Sequence, residues 1–233
     1  EARLGREVHV RRSDVERARE RLDGFEVGRD PGGPIAFDHE PARKEWLARL
    51  ETDRLVAGGT VLAGPISVGV RRTDRIRVTG RTGAGKSTLL AALRAAAAVP
   101  DDRVLWLPQE MGAGGARALV DEVRSLDSDR RGSLLALVAR LGVDPDRLLA
   151  SEAPSPGEAR KVAVAYGLAT SAWLVILDEP TNHLDLPSIE RIEDALIAYP
   201  GALVVVTHDD HLGDAVTDVE WRLAGGRLTV IGG

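Results

Sequence analysis

Eight consecutive residues, Gly80-Arg81-Thr82-Gly83-Ala84-Gly85-Lys86-Ser87, restrict the folds open to this chain more than anything else in it. They satisfy G-x-x-x-x-G-K-[ST], a pattern that requires a strand before it and a helix after it. Both flanks comply: residues 75–78 read as a strand, and 86–98 as a helix rich in Ala and Leu. Glycines let backbone N–H groups converge on phosphate oxygens, and the helix N-terminus adds positive potential there. Gly80, Arg81, Thr82, Gly83, Ala84, Gly85, Lys86, Ser87 and Thr88 are therefore candidate nucleotide-binding residues. Lys86 is placed to reach the β- and γ-phosphates, and the Ser87 hydroxyl to ligate Mg²⁺.

A loop of this kind needs a parallel sheet around it, and the remaining periodicities supply one. Apolar runs at 104–107, 174–177 and 203–206 read as buried strands. Helical segments at 158–170 and 188–198 alternate with them, and 113–150 is helical with breaks expected at Gly132 and Gly142. Short strands at 61–63 and 66–70 precede the loop, and 221–223 with 228–231 closes the chain as a hairpin. Strands alternating with helices specify a parallel sheet covered on both faces, an α/β fold. The run at 174–177 ends in Asp178-Glu179. In open α/β sheets ligands sit beyond the carboxyl ends of strands. Asp178 suits Mg²⁺, through water, and Glu179 suits the polarisation of an attacking water. Alone, two acids after a strand mean little; paired with the phosphate loop they mean a triphosphate site.

Composition removes several alternatives. Net charge is −5 and the isoelectric point about 5.6, so no global basicity suggests a nucleic-acid binder. No apolar run approaches the length of a membrane span. Cysteine is absent, which excludes a disulfide framework and makes the cytoplasm the expected compartment. Residues 1–50 are polar and read as a linker end or N-terminal extension, with the domain proper at 51–233. Within the extension, Ser13 and Glu16 form a capping-box pattern opening a helix at 14–23, and residues 30–34 form a turn.

The motifs taken together resemble a known superfamily. Gly80–Thr88, Gln109, Ser155-Pro-Gly-Glu158, Leu177-Asp-Glu-Pro-Thr-Asn-His-Leu-Asp185 and His208 stand in the order and spacing of the ABC (ATP-binding cassette) ATPases. The stretch Glu179-Pro-Thr-Asn-His-Leu-Asp185, followed by Tyr199-Pro-Gly and Val206-Thr-His-Asp209, is similar to the ABC-F subfamily. The resemblance implies a P-loop NTPase with a RecA-like core, an antiparallel β subdomain and a helical signature subdomain at about 112–170. It implies ATP and Mg²⁺ as cofactors, Glu179 and His208 as catalytic residues, and Gln109 as a sensor of the metal and γ-phosphate alongside the metal-binding Ser87 and Asp178. It places Ser155, Gly157 and Glu158 against the nucleotide of an opposing domain, and Asp185 at the interface with it. ABC-F proteins are soluble, carry two such domains in one chain and often act on the ribosome. The resemblance therefore implies a second ABC domain of the same parent chain, or a homodimer partner, with the ribosome as target and no direct membrane insertion. The charged N-terminal segment resembles the end of an interdomain linker, which suggests a C-terminal half. The competing readings are an ATPase subunit of a membrane transporter and a nucleotide-gated clamp that needs little turnover. Asn182-His183-Leu184 favours the ABC-F reading, because transporter domains more often carry Ser-Ala-Leu there.

Two departures from the family pattern stand out. The signature segment reads Pro154-Ser155-Pro156-Gly157-Glu158, where Leu-Ser-Gly-Gly-Gln/Glu is usual. It remains a good helix start, with Ser155 as N-cap, Pro156 in the first turn and Glu158 completing a capping box, although Pro156 removes one N–H donor. The second departure concerns the base. ABC domains stack adenine on an aromatic residue ahead of the loop, whereas positions 56–61 read Val-Ala-Gly-Gly-Thr-Val; Trp46 and Phe37 lie too far upstream. Weak discrimination between ATP and GTP is the expectation.

Overall fold

The computed structural model describes Phe37 and residues 39–232, all within one unit, Pro34–Gly233. The expected helix at 14–23 and turn at 30–34 lie outside the described residues. The first described elements are antiparallel pairs. Strand β1 (Trp46–Thr52) pairs with β4 (Ile66–Arg71), and β2 (Leu55–Ala57) pairs with β3 (Thr60–Ala63). Gly58 and Gly59 join β2 to β3 with φ of 55° and 81°, the left-handed pair that a tight hairpin turn demands.

The boundary expected at residue 50 needs correction, because it falls inside β1. Leu47, Ala48 and Leu50 are all buried, and the register slips between Trp46 and Ala48. That irregularity puts two neighbouring residues inward and hides the period-two alternation by which a strand is read.

The main sheet has six strands in the order β10-β9-β5-β8-β7-β6, with β5 (Arg75–Thr79), β6 (Val104–Leu107), β7 (Leu174–Asp178), β8 (Ala202–Val206) and β9 (Val219–Ala224) parallel. Only β10 (Arg227–Ile231) runs antiparallel, as the return of a hairpin. Side chains of the central strands alternate between two cores. Leu174, Ile176, Val204 and Val78 face helix α1 (Lys86–Ala95), whose Leu89, Leu90 and Leu93 pack between this sheet and β1. Val175, Leu177, Leu203 and Val205 face the other core, with α5 (Pro156–Ala169) and α6 (Leu186–Ala198). A parallel sheet buried on both faces is what the continuous apolar runs demand.

Between β6 and α5 lie α2 (Ala113–Ser125), α3 (Ser128–Arg140) and α4 (Pro145–Ala150). The break expected at Gly132 is not there; Gly132 sits inside α3. The chain turns instead at Leu126-Asp127, where the Asp127 carboxylate caps α3 by accepting from the N–H groups of Asp129 and Arg130. An aspartate N-cap stabilises a helix start by about 1 kcal/mol, about what an interior glycine costs, so here the cap decides the boundary. The break at Gly142 is present, at φ 74°. Helix α1 ends at Ala95 rather than at Ala98, because Ala97 bridges to Ala48 and Ala98 N–H donates to Leu47. Helix α7 (Asp210–Val216) follows β8. Among the described residues no helix is long and apolar enough to cross a membrane.

Candidate functional site

The strand register decides which loops meet. Val78 of β5 and Asp178 of β7 both lie level with Val206 of β8, one on either side. Neighbouring strands are about 4.8 Å apart, so Val78 and Asp178 are about 10 Å apart across β8. Leu107 of β6 lies level with Leu177. Four loops therefore leave the same carboxyl edge: Gly80–Ser87 after β5, Gln109 after β6, Glu179 after β7 and His208 after β8. Gly80, Lys86, Thr207 and His208 line one open cavity of about 730 Å³ at that edge.

The phosphate loop is held in shape from within. Gly80 has φ 149°, and a Cβ built on it would stand 2.4 Å from the Leu223 carbonyl oxygen, so no larger residue fits between the loop and β9. Lys86 Nζ donates to the carbonyls of Gly80 at 2.9 Å and Arg81 at 3.4 Å, folding the lysine back over the loop. Arg81, Thr82, Gly83 and Ser87 are exposed at the rim; Ala84, Gly85 and Thr88 are half-buried. Ser87 lies in the first turn of α1, where a ligand gains from the free N–H groups of the helix start.

The acidic strand end is deeply set. Asp178 is 2% exposed and Glu179 is 5% exposed. Glu179 adopts φ 51°, in the left-handed region that a non-glycine residue enters at a cost of about 1–3 kcal/mol. Its N–H donates to Val206 O at 2.8 Å, and its carbonyl accepts from Arg160 Nη1 at 2.5 Å. Its carboxylate turns toward the loop after β8, where Oε2 accepts the His208 N–H at 3.2 Å. Oε1 lies 3.3 Å from His208 Nε2, yet is buried without a hydrogen bond. A buried carboxylate oxygen left unbonded is expensive and points to a missing partner, such as a water to be polarised.

The expected metal residues suit a hard cation: the Ser87 hydroxyl, the Asp178 carboxylate and the Gln109 amide all offer oxygen. Among the described residues no three His, Cys, Asp or Glu side chains converge into a ready-made metal site. A cation here thus depends on phosphate oxygens and water, as Mg²⁺ does in nucleotide sites. Gln109 is exposed, with its backbone carbonyl held by Arg160 Nη2 at 2.6 Å.

Ser155, Gly157 and Glu158 form the first turn of α5. Glu158 N–H donates to the Ser155 hydroxyl at 3.3 Å, and Ser155 N–H to the Glu158 carboxylate at 2.9 Å, a complete capping box. Those bonds hold the Glu158 carboxyl below its ordinary value of 4.5. A carboxyl depressed on folding adds stability above the unfolded value, and that stability is lost as pH falls through the folded one. Ser155→Ala is therefore expected to cost about 1 kcal/mol at neutral pH by chemical denaturation. The difference between the two proteins should shrink once the pH drops below the ordinary range of Glu158. Gly157 lies against the stretch between β7 and α6: a Cβ there would stand 3.4 Å from the His183 carbonyl. His183 has φ 66° and serves a turn. Asp185 occupies the N-cap position of α6 at the end of that stretch.

Trp46 and Phe37 have other occupations. The Arg49 and Arg71 guanidinium groups lie over the Trp46 ring at 4.5 and 4.8 Å, and the ring packs against Gly69. Phe37 packs edge-on against Tyr199, ahead of β8 and so at the opposite edge of the sheet from the phosphate loop. The β2–β3 hairpin lies beside the loop: Leu62 packs on Gly85, and the paired Val56 and Val61 are exposed. Sequence reasoning missed Arg160, whose signal was a charged residue inside the apolar run of α5.

Comparison with known proteins agrees with this geometry. A family model described as ABC transporter matches residues 63–182. ATP-binding protein Uup of Caulobacter vibrioides is 34% identical over 187 residues, covering 76% of this chain and 30% of that protein. Tylosin resistance ATP-binding protein TlrC of Streptomyces fradiae is also 34% identical over 187 residues, covering 76% of this chain and 33% of that protein. Erythromycin resistance ATP-binding protein MsrA of Staphylococcus epidermidis is 29% identical over 180 residues, with 73% and 36% covered. This chain spans about a third of the length of these relatives. A solved structure described as the ATP binding subunit of an ABC transporter matches with a TM-score of 0.64 over 80% of this chain and 90% of that one; at 18% identity it shows the fold alone. The chain belongs to the ABC transporter family, as an ATPase domain of the ABC-F branch.

Proposed function

We propose that this chain binds MgATP on Gly80–Thr88 and cleaves its γ-phosphate with water polarised by Glu179. The observation that carries the reading is the level alignment of Val78, Val206 and Asp178, which puts the phosphate loop, His208 and the two carboxylates at one edge. Loop N–H groups and Lys86 bind the β- and γ-phosphates. Ser87, Asp178 and Gln109 would hold Mg²⁺, which would supply neutralisation of charge on the phosphate oxygens. Glu179 Oε1, buried and unbonded, accepts a proton from the attacking water, and His208 stays within reach of both that carboxylate and the γ-phosphate. Calorimetry with MgATP, followed by phosphate release, tests this; no binding heat from folded protein would refute it.

The capped start of α5 supports a composite site in which Ser155, Gly157 and Glu158 meet the nucleotide of a second ABC domain, in the same parent chain or in a second copy. ATP then closes the pair, since the γ-phosphate adds contacts only in the closed state. The parent protein acts in the cytoplasm on ribosomes, a reading supported by the resistance proteins among its relatives. Co-sedimentation of the parent protein with ribosomes tests that step, and recovery with a membrane protein instead would favour a transporter subunit. The aliphatic hairpin beside the loop offers the base no aromatic face and so lacks a stack worth about 1–3 kcal/mol of affinity; with base contacts this weak, ATP and GTP are expected to bind within about fivefold of each other. Competition titration measures it, and a preference for ATP above about 30-fold would rule out an unselective platform.

A further inference from the structure

Arg160 has no part in the chemistry above, yet it is 5% exposed and carries a full charge. A buried charge is costly unless its donors are satisfied, and an arginine usually finds a carboxylate for the purpose. Arg160 instead donates to two backbone carbonyls, Nη1 to Glu179 O at 2.5 Å and Nη2 to Gln109 O at 2.6 Å. Burial pushes its pKa down, while the nearby Asp178 and Glu179 carboxylates oppose that and keep the cation in place. The two carbonyls belong to loops after different strands, β6 and β7, so one planar fork spans the two segments that the proposed reaction needs most. Arg160 also lies on α5 only five positions beyond Ser155, about one and a half turns from the capped start.

We propose that Arg160 is a positioning residue that fixes Glu179 and Gln109 relative to one another, and that ties both to the helix whose first turn faces a partner's nucleotide. Glu179 is the more demanding of the two. Its left-handed backbone is held on one side by β8, through its N–H, and on the other side by Arg160, through its carbonyl. Without the guanidinium the carbonyl keeps only the long 3.3 Å bond from the Asn182 N–H, so the peptide gains room to rotate and the carboxylate moves with it. A displacement of a reacting group by about 1 Å costs about 100-fold in rate. A partner's phosphate pulling on the α5 start shifts Arg160 along the same rigid helix, which connects the state of one site to the geometry of the other.

This inference rests on the ATPase reading, and the experiment separates the two. Arg160→Met and Arg160→Lys are compared with the unaltered protein in the full chain, with Kd for MgATP from calorimetry and the rate from single-turnover hydrolysis at saturating protein. Arg160→Met is expected to bind MgATP within about threefold of the unaltered protein and to cleave it about 30- to 100-fold more slowly. Arg160→Lys, which can reach one carbonyl at a time, should recover about a third of the loss on a logarithmic scale. In a Glu179→Gln background either change should slow the residual reaction by less than about threefold, because its effect travels through Glu179. Full additivity in that background overturns the proposal, as does an unchanged rate. So does a parallel fall of affinity, rate and melting temperature, which marks a structural staple. If Arg160→Met does not fold, Arg160→Lys decides on the same criteria. Failure of the unaltered protein to bind MgATP sinks the ATPase reading itself; normal binding and turnover with no Arg160 effect sinks only this inference.

Discussion

Replacing Glu179 with glutamine is expected to slow ATP cleavage by about 1,000-fold while leaving MgATP affinity within about threefold. The substitution keeps volume and shape. A glutamine oxygen can still accept the His208 N–H that now reaches Oε2, so the loop after β8 stays where it is. What disappears is the proton acceptor at Oε1, which is buried without a hydrogen bond 3.3 Å from His208 Nε2. Positioned acid–base groups contribute about 10²- to 10⁴-fold, and the middle of that range applies to a carboxylate acting on water. Because the site binds but does not cleave, the variant should accumulate as an ATP-loaded, closed species. Single-turnover hydrolysis beside equilibrium binding checks both halves. An unchanged rate would show that water is activated elsewhere.

Lys86→Ala acts on the opposite quantity. Here MgATP affinity is expected to fall at least about 100-fold with little change in melting temperature. In the structure Nζ donates to the Gly80 and Arg81 carbonyls, so the lysine braces the loop as well as offering it a charge. Swinging to the phosphates exchanges two neutral acceptors for two anionic ones, and each charge-assisted bond is worth about 1.5–3 kcal/mol. Alanine forfeits both, along with the loop brace. The core is untouched, since Leu89, Leu90 and Leu93 carry the packing of α1. Isothermal titration measures the affinity and differential scanning the stability. Binding at unaltered strength would mean that the N–H groups alone hold the phosphates.

The candidate site carries stronger signals in the sequence than the element ends around it, for a physical reason. Phosphate binding tolerates few residue types at fixed spacing, so Gly80, Lys86, Ser87, Asp178, Glu179 and His208 announce themselves. Element ends obey weaker forces that compete. Three alanines at 96–98 carry no stop signal, and it took a bridge to Ala48 to end α1. Gly132 looked like a break, but the cap at Asp127 was stronger. Strand β1 escaped notice because its bulge turns both Leu47 and Ala48 inward. The hairpin turned by Gly58 and Gly59 went unread, since a strand of three residues, Leu55–Ala57, is too short to show a period. Arg160 could be suspected only as an anomaly, since its partners are carbonyls and main-chain atoms leave no trace in residue type.

The Gly157 backbone comes so near the His183 carbonyl that an added Cβ would stand 3.4 Å from it, which sets two recognition elements side by side. From Glu179 the main chain passes through Asn182, whose N–H bonds back to the Glu179 carbonyl, and through Leu184, whose N–H bonds to Thr181. Slack in so short and cross-tied a span is minimal. In the proposed composite site, release of phosphate beside Glu179 is therefore expected to displace the surface offered to the second domain.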